Sequence, residues 1–287
     1  MPTSDCRTPV ELGSVQQTLL IPLLARALET KRSNRKLEDT KAVEIVDSTE
    51  YNFEKFPDNF ALRAMVGRTL MMDEDVRSYM ERFPDGVVVE VGCGLNTRFS
   101  RLDNGTIKWF NLDLPDVIDM RRNFFLDSER CKMIAASFTD PTWHTQVAQA
   151  RPHDNCPVCF VCEASIVYIS TQKVQSSIRS IARHFDRAVF VTDTTGSDLV
   201  RSQDSNPLMK HLSRDSYFVW GCDDPREIEG WTGYKWHLAR SRTLLEMQDE
   251  FWADAPLAYR VIRRYIPFVA RKMIGTYRLN VFSTECQ

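Results

Sequence analysis

Five short apolar runs, separated by segments with helical periodicity, constrain this chain more than any other feature. VVVEV (Val87–Val91) is uninterrupted by polar residues except Glu90, which suits a strand buried on both faces. KWFNLDL, CKMIAAS, PVCFVCEA and RAVFVTDTT follow in turn. Between them lie PDVIDMRRNFFLDS, with Pro115 at a first helical turn, PTWHTQVAQA, and STQKVQSSIRSIARHF, N-capped by Ser170 or Thr171. Strands alternating with helices of this length mean βαβ units and a parallel sheet. The fold class expected is therefore α/β, with a doubly wound, mostly parallel sheet.

The residues before Val87 do not alternate in this way. SVQQTLLIPLLARALETKR has helical spacing with Ser14 as N-cap, DTKAVEIVDS a helix capped by Asp39, and ALRAMVGRTLMMDEDVRSYMERF a longer helix stopped by Pro84-Asp85-Gly86. KRSNRKLED and YNFEKFPDNF read as loops. Residues 1–84 are expected to form an N-terminal helical cap, and 85–287 the sheet domain with a C-terminal helical insertion. In that last part SYFVWG reads as a strand, SRTLLEMQDEFW and APLAYRVIRRYIPFVARKMI as helices, and TYRLNVFS as a final strand, antiparallel near the sheet edge.

Bulk properties exclude several partners. The formal net charge is −2, so no strong field attracts nucleic acid or an anionic membrane. No apolar run approaches the ~20 residues of a membrane helix. TLLIPLLARAL is broken by Pro22 and Arg26. A soluble, cytoplasmic protein acting on a small molecule is expected. Eight cysteines include Cys156, Cys159 and Cys162 in CPVCFVC, but no second pair completes a tetrahedral metal site, and in a buried strand a free cysteine is a small hydrophobe. No metal and no disulfide framework is expected.

In a doubly wound sheet the ligand lies past the carboxyl ends of the strands, where the strand order switches. Those ends carry Glu90-Val91-Gly92-Cys93-Gly94, Asp113-Leu114-Pro115, Ser137-Phe138, Glu163-Ala164-Ser165 and Asp193-Thr194. The glycine turn departs from the dinucleotide pattern G-x-G-x-x-G, because Thr97 takes the third glycine's place. Glu90 beside it would repel a diphosphate and favour a cation or amine. Asp113 stands where an acidic side chain accepts hydrogen bonds from ribose hydroxyls. Ribose, a cation and an amino-acid tail together describe S-adenosylmethionine, and Glu163 adds a further carboxylate at the same edge.

At these residues the chain resembles the class I S-adenosylmethionine-dependent methyltransferases. More narrowly, it resembles the leucine carboxyl methyltransferase-like family, which includes protein phosphatase methyltransferases and polyketide-tailoring O-methyltransferases of the tetracenomycin type. The resemblance runs through VQQTLLIPLLARALETK, LEDTKAVEIVD, GRTLMMDEDVR, VVEVGCGLNTRFSRL, FNLDLPDVIDMRR and CEASIVYIS. It implies a Rossmann-like methyltransferase fold and roles residue by residue. Arg68 would bind the cofactor carboxylate, which its planar guanidinium suits. Gly92 and Gly94 would lie against the amino-acid tail, with Glu90 alongside. Asp113, with Leu114 next to it, would hold the ribose. Ser137 and Phe138 would meet adenine, although the family often has an acidic residue where Ser137 stands. Glu163, followed by Ala164, would sit near the amino group or sulfonium. Arg26 matches a basic residue of the family's first helix near the active site.

Methyl transfer from a sulfonium is an in-line displacement that requires mainly placement. A carboxyl acceptor of pKa ~4 is already ionised at neutral pH, whereas a phenol of pKa ~10 needs a general base. None of His144, His153, His184, His211 and His237 falls at a strand end. Asp193 and Asp198 are a slight hint of a metal-assisted site. The expected activity is therefore O-methylation of a carboxylate on a small, polyketide-like molecule, with Tyr51, Phe53, Phe56 and Tyr168 as candidate walls of the acceptor pocket. A phenolic O-methyltransferase, a protein C-terminal carboxyl methyltransferase and a non-catalytic S-adenosylmethionine-binding protein stay open. A nicotinamide oxidoreductase is disfavoured by Thr97 and Glu90.

Overall fold

The structure, a computed structural model, describes residues 8–205, 212–253, 255–269 and 275–285. Cys6, Cys286 and His211 lie outside these residues, as do residues 270–274 of the helix expected over APLAYRVIRRYIPFVARKMI. Nine strands are described. β1 (Thr8–Pro9) and β2 (Thr49–Glu50) pair with each other. The remaining seven, β3 (Val87–Val91), β4 (Lys108–Asp113), β5 (Cys131–Ala135), β6 (Val158–Cys162), β7 (Ala188–Thr195), β8 (His237–Thr243) and β9 (Tyr277–Ser283), form one sheet. Its order is β5-β4-β3-β6-β7-β9-β8, parallel except for β9, which runs antiparallel to both neighbours. The order reverses between β3 and β6, which places the switch point between Gly92 and Glu163.

The continuous apolar runs contain a hidden alternation. Val87, Val89 and Val91 face one layer with Phe160 and Cys162, while Val88 faces the other with Cys159 and Val161. Each face is covered, so neither needs polar residues. The same pleat sends Cys159 and Cys162 into opposite layers, so they pack as separate hydrophobes.

α1 (Leu20–Thr30), α2 (Thr40–Ser48) and α3 (Phe60–Arg82) precede the sheet. Asp39 caps α2 through Ala42 N at 3.0 Å, and Asn59 caps α3 through Ala61 N and Leu62 N. Each cap satisfies donors that an isolated helix end leaves unpaired. α3 packs on β6, β7 and β9, with Met72 and Val76 buried beneath it. α1 begins later than Ser14 suggests: a 3-10 turn over Gln16–Leu19 precedes it, and Ser14 caps nothing. α4 (Arg98–Leu102), α5 (Pro115–Arg121), α6 (His144–Gln149) and α7 (Thr171–His184) link the parallel strands. α8 (Ser197–Ser202), α9 (Glu227–Trp231), α10 (Asp249–Ala253) and α11 (Leu257–Tyr265) complete the described helices. None is long and apolar enough to cross a membrane.

Three C-terminal expectations are corrected. The helix expected over APLAYRVIRRYIPFVARKMI is interrupted after Tyr265, where Ile266 leaves helical geometry with a φ of −133°. SYFVWG is not a strand: Val219 N and Trp220 N donate to the Val167 carbonyl, pinning the stretch without a ladder partner. SRTLLEMQDEFW is not one helix: its start belongs to β8, and only Asp249–Ala253 is α-helical. The cause is non-local. β9 supplies the hydrogen-bonding edge, and Arg242 reaches from β8 to Glu74 and Asp75 on α3, both at 2.9 Å.

Candidate active site

A cavity of about 580 Å³ opens over the carboxyl ends of β3, β4, β5 and β6. It is within the range of small-molecule sites. Its floor is the glycine turn. Gly92 and Gly94 have φ of +64° and +48°, which a side chain rarely adopts. The turn's amides are all committed to the end of β4. Gly92 N and Cys93 N donate to the Leu112 carbonyl at 2.8 and 3.2 Å, and Gly94 N donates to Asp113 Oδ2 at 2.7 Å. A phosphate cradle needs free amides aimed at the ligand, and this turn has none to offer. Arg121 holds it from below, donating to the carbonyls of Gly94 and Asn96 at 2.8 Å each. Arg26 does the same at Leu95, at 3.0 Å.

Asp113 receives Gly94 N on one oxygen and Leu114 N, at 2.8 Å, on the other. A carboxylate has about four acceptor positions, so each oxygen keeps one for a diol. Burial outweighs these backbone bonds and pushes the carboxyl up to about 6.

The amino-acid end is a network of charges. Glu163 accepts from Arg68 Nε at 2.9 Å, Thr69 Oγ1 at 2.8 Å and Arg98 Nη2 at 2.5 Å. Burial raises its pKa, but Arg68 and Arg98 prevail and hold it well below the usual carboxylate range. Arg98, with no exposed surface, also donates to Glu90 Oε1 at 2.5 Å and Asp73 Oδ1 at 2.7 Å. Glu90 Oε2 has no hydrogen-bond partner among the described residues, and burial moves the Glu90 carboxyl upward despite Arg98. An orphaned, buried carboxylate oxygen on a cavity wall fits an incoming ammonium group. Arg68 Nη1 donates to Tyr277 Oη at 2.9 Å, and Tyr277 in turn donates to Asp193. Burial disfavours the Arg68 charge, but Tyr277, Glu163 and Asp193 reverse the effect and keep it protonated. Asp193 also accepts from Ala164 N at 2.9 Å, fixing that residue at a φ of +49°.

Every cofactor residue expected from the sequence, Arg68, Glu90, Gly92, Gly94, Asp113, Leu114, Ser137, Phe138, Glu163 and Ala164, lines this cavity, as do Arg26 and Tyr168. Arg26 is spent on Asp39, at 2.9 Å, and on the turn. Tyr51 and Phe56 do not line it. Phe56 is buried in the core beside α3, and Tyr51 packs against Phe53 with centroids 5.1 Å apart. An aperiodic aromatic loop satisfies core packing and pocket lining equally well in sequence, and only the chain path separates them. None of the described histidines lines the cavity. Arg98, Arg121, Tyr277 and Lys173 carry no ligand-binding expectation from the sequence, and Asp193 only the slight hint of a metal-assisted site. Arg98 opens α4 just after the glycine turn and Asp193 lies near the end of β7, so both carry a local signal. Tyr277 sits on β9 and carries none.

The orphaned Glu90 oxygen, the two free acceptor positions on Asp113, and the flat glycine turn fit S-adenosylmethionine. The sheet order and this site define a class I, S-adenosylmethionine-dependent methyltransferase. The chain belongs to the leucine carboxyl methyltransferase family, whose model matches residues 20–182. It is 28% identical over 222 residues to the tetracenomycin polyketide synthesis O-methyltransferase TcmP of Streptomyces glaucescens, covering 77% of this chain and 80% of that protein. It is 29% identical over 242 residues to the S-adenosyl-L-methionine-dependent methyltransferase dpfgK of Gibberella zeae, covering 77% and 79%. Among solved structures it shares its fold with a Thermobifida fusca YX protein described provisionally as a methyltransferase. That match has a TM-score of 0.54 and 13% identity, covering 92% of this chain and 95% of the other. A duf574 family protein from Streptomyces avermitilis matches with a TM-score of 0.53 and 10% identity, covering 91% and 96%.

Proposed function

We propose that this protein is an O-methyltransferase that esterifies a carboxylate on a small, polyketide-like acceptor. The observation that carries this reading is that each acid of the cavity is taken up, either within the chain or by the cofactor, the unpartnered Glu90 oxygen being assigned to the cofactor's ammonium group. Glu163 is locked by two arginines and held strongly acidic, so it is a poor base. Asp113 is occupied by the turn and reserved for the ribose. Burial raises the Tyr168 hydroxyl further, which keeps it protonated. A carboxylate acceptor needs none of them as a base.

When bound, S-adenosylmethionine supplies an electrophilic methyl group on sulfur. Arg68 and the Glu90 oxygen hold the ends of its amino acid, and Asp113 holds the ribose. Beyond them the cavity continues between Leu19, Pro22, Met65, Ile169 and Phe218, an apolar space suited to a flat ring system. Fixing both reactants there replaces a bimolecular encounter with an oriented one. The polyketide acceptor of TcmP supports this substrate class.

The test uses methyl-labelled S-adenosylmethionine with a panel of aromatic carboxylic acids and phenols. Label released as methanol by mild base supports an ester. Label that survives base, as an ether, overturns the carboxylate reading.

A further inference from the structure

Three cationic side chains line the cavity: Arg26, Arg68 and Lys173. Arg26 is spent on Asp39 and the Leu95 carbonyl. Arg68 is engaged by Glu163 and Tyr277, with Asp193 at 3.8 Å, and what remains of its guanidinium is assigned above to the cofactor's carboxylate. The Lys173 ammonium makes no hydrogen bond or ion pair with any described residue. It lies in the first turn of α7, close to the positive end of the helix dipole, where a cation is unfavourable rather than stabilising. The residue is exposed, so its ammonium is solvated and can pair with a ligand without breaking a protein contact. The same cavity wall carries apolar and aromatic side chains. Tyr168 and Phe218 meet edge to face, with ring centroids 5.4 Å apart, and Ile169 and Leu19 extend the apolar surface.

We propose that Lys173 anchors the acceptor's carboxylate while the acceptor's ring packs against Tyr168 and Phe218. This rests on the carboxylate reading above and adds the residue that selects the anion. One carboxylate oxygen forms the bond to the methyl carbon as the carbon–sulfur bond breaks. The electron pair of that bond stays on sulfur, leaving a neutral thioether, and no proton moves. The carboxylate's negative charge and the sulfonium's positive charge are both lost. The ester product no longer pairs with Lys173, so the reaction itself weakens the hold on the product.

The test is calorimetric and requires no turnover. The protein is loaded with S-adenosylhomocysteine and titrated with 2-naphthoate, methyl 2-naphthoate and 2-naphthol. Naphthoate is expected to bind about tenfold tighter than its ester, the lower end of what a charge-assisted hydrogen bond contributes. Lys173→Met abolishes that preference, Lys173→Arg retains it, and the affinity for S-adenosylhomocysteine changes in neither. Equal affinity for naphthoate and ester in the unaltered protein, absence of binding by either included, overturns the proposal, as does a preference that survives in Lys173→Met. Preferential binding of naphthol overturns both the anchor and the carboxylate reading. Failure of S-adenosylhomocysteine to bind at all overturns the assignment of the site.

Discussion

Removing the Asp113 carboxylate tests the ribose site most directly. Its two oxygens are already oriented by Gly94 N and Leu114 N, and the group is half-buried before any ligand arrives. A diol therefore gains two charge-assisted hydrogen bonds with only part of the carboxylate left to dehydrate. At about 1.5–3 kcal/mol each they total about 3–6 kcal/mol, or roughly 10²- to 10⁴-fold in affinity. Asp113→Ala is expected to weaken S-adenosylhomocysteine by at least the lower figure in calorimetry at pH 8. The raised carboxyl, at about 6, adds a pH signature. Ligand hydroxyls favour the ionised form, so binding expels a proton and affinity falls as the pH drops below 6, by about tenfold at pH 5. The free protein responds in the opposite sense. Its folded carboxyl lies above the ordinary 3.8. The stability from this group is therefore fully present below that value and is lost as pH rises through about 6. Asp113→Ala should remove both dependences. Affinity in the variant within threefold of the original, or an acid-side loss of affinity that persists in it, would refute the ribose assignment.

Arg98→Met leaves Asp73, Glu90 and Glu163 buried without their shared cation. Breaking one buried pair costs about 3–5 kcal/mol, so a fall in Tm of roughly 10 °C is expected by differential scanning fluorimetry. The deficit should shrink towards acid pH, where the stranded carboxylates take up protons, and a deficit independent of pH would contradict the network. Gly92→Ala faces both a φ of +64° and a Cβ 2.3 Å from Ser165 Cβ. Gly105→Ala has a φ of +85° but open space. Chemical denaturation should show a loss of about 2–5 kcal/mol for the first and about 1–2 for the second. Equal losses would mean that the close approach at Ser165 is not real.

The parallel core and most of the cofactor site were legible because each signal is local. Val87–Val91 is apolar throughout since both its faces are covered, and a strand followed by Gly-Cys-Gly can only turn sharply at the switch point. Glu90, Asp113 and Glu163 each close a strand, so the βαβ pattern alone brings them to one edge. Other features depend on which distant segments meet. β8 is a strand because β9 pairs with it, although its largely polar sequence, HLARSRT, has little strand character. Tyr51 and Phe56 are core rather than pocket because of the path of one loop. Arg98 gathers three carboxylates from α3, β3 and the end of β6, and Tyr277 joins Arg68 to Asp193 from the last strand. The sequence by itself determined the sheet, its switch point and the chemistry along that edge, because these follow from the pleat's period of two and from turn geometry. Only the tertiary structure decided which charges are spent and which are free, because pairing in a buried network depends on distances between residues far apart in the chain.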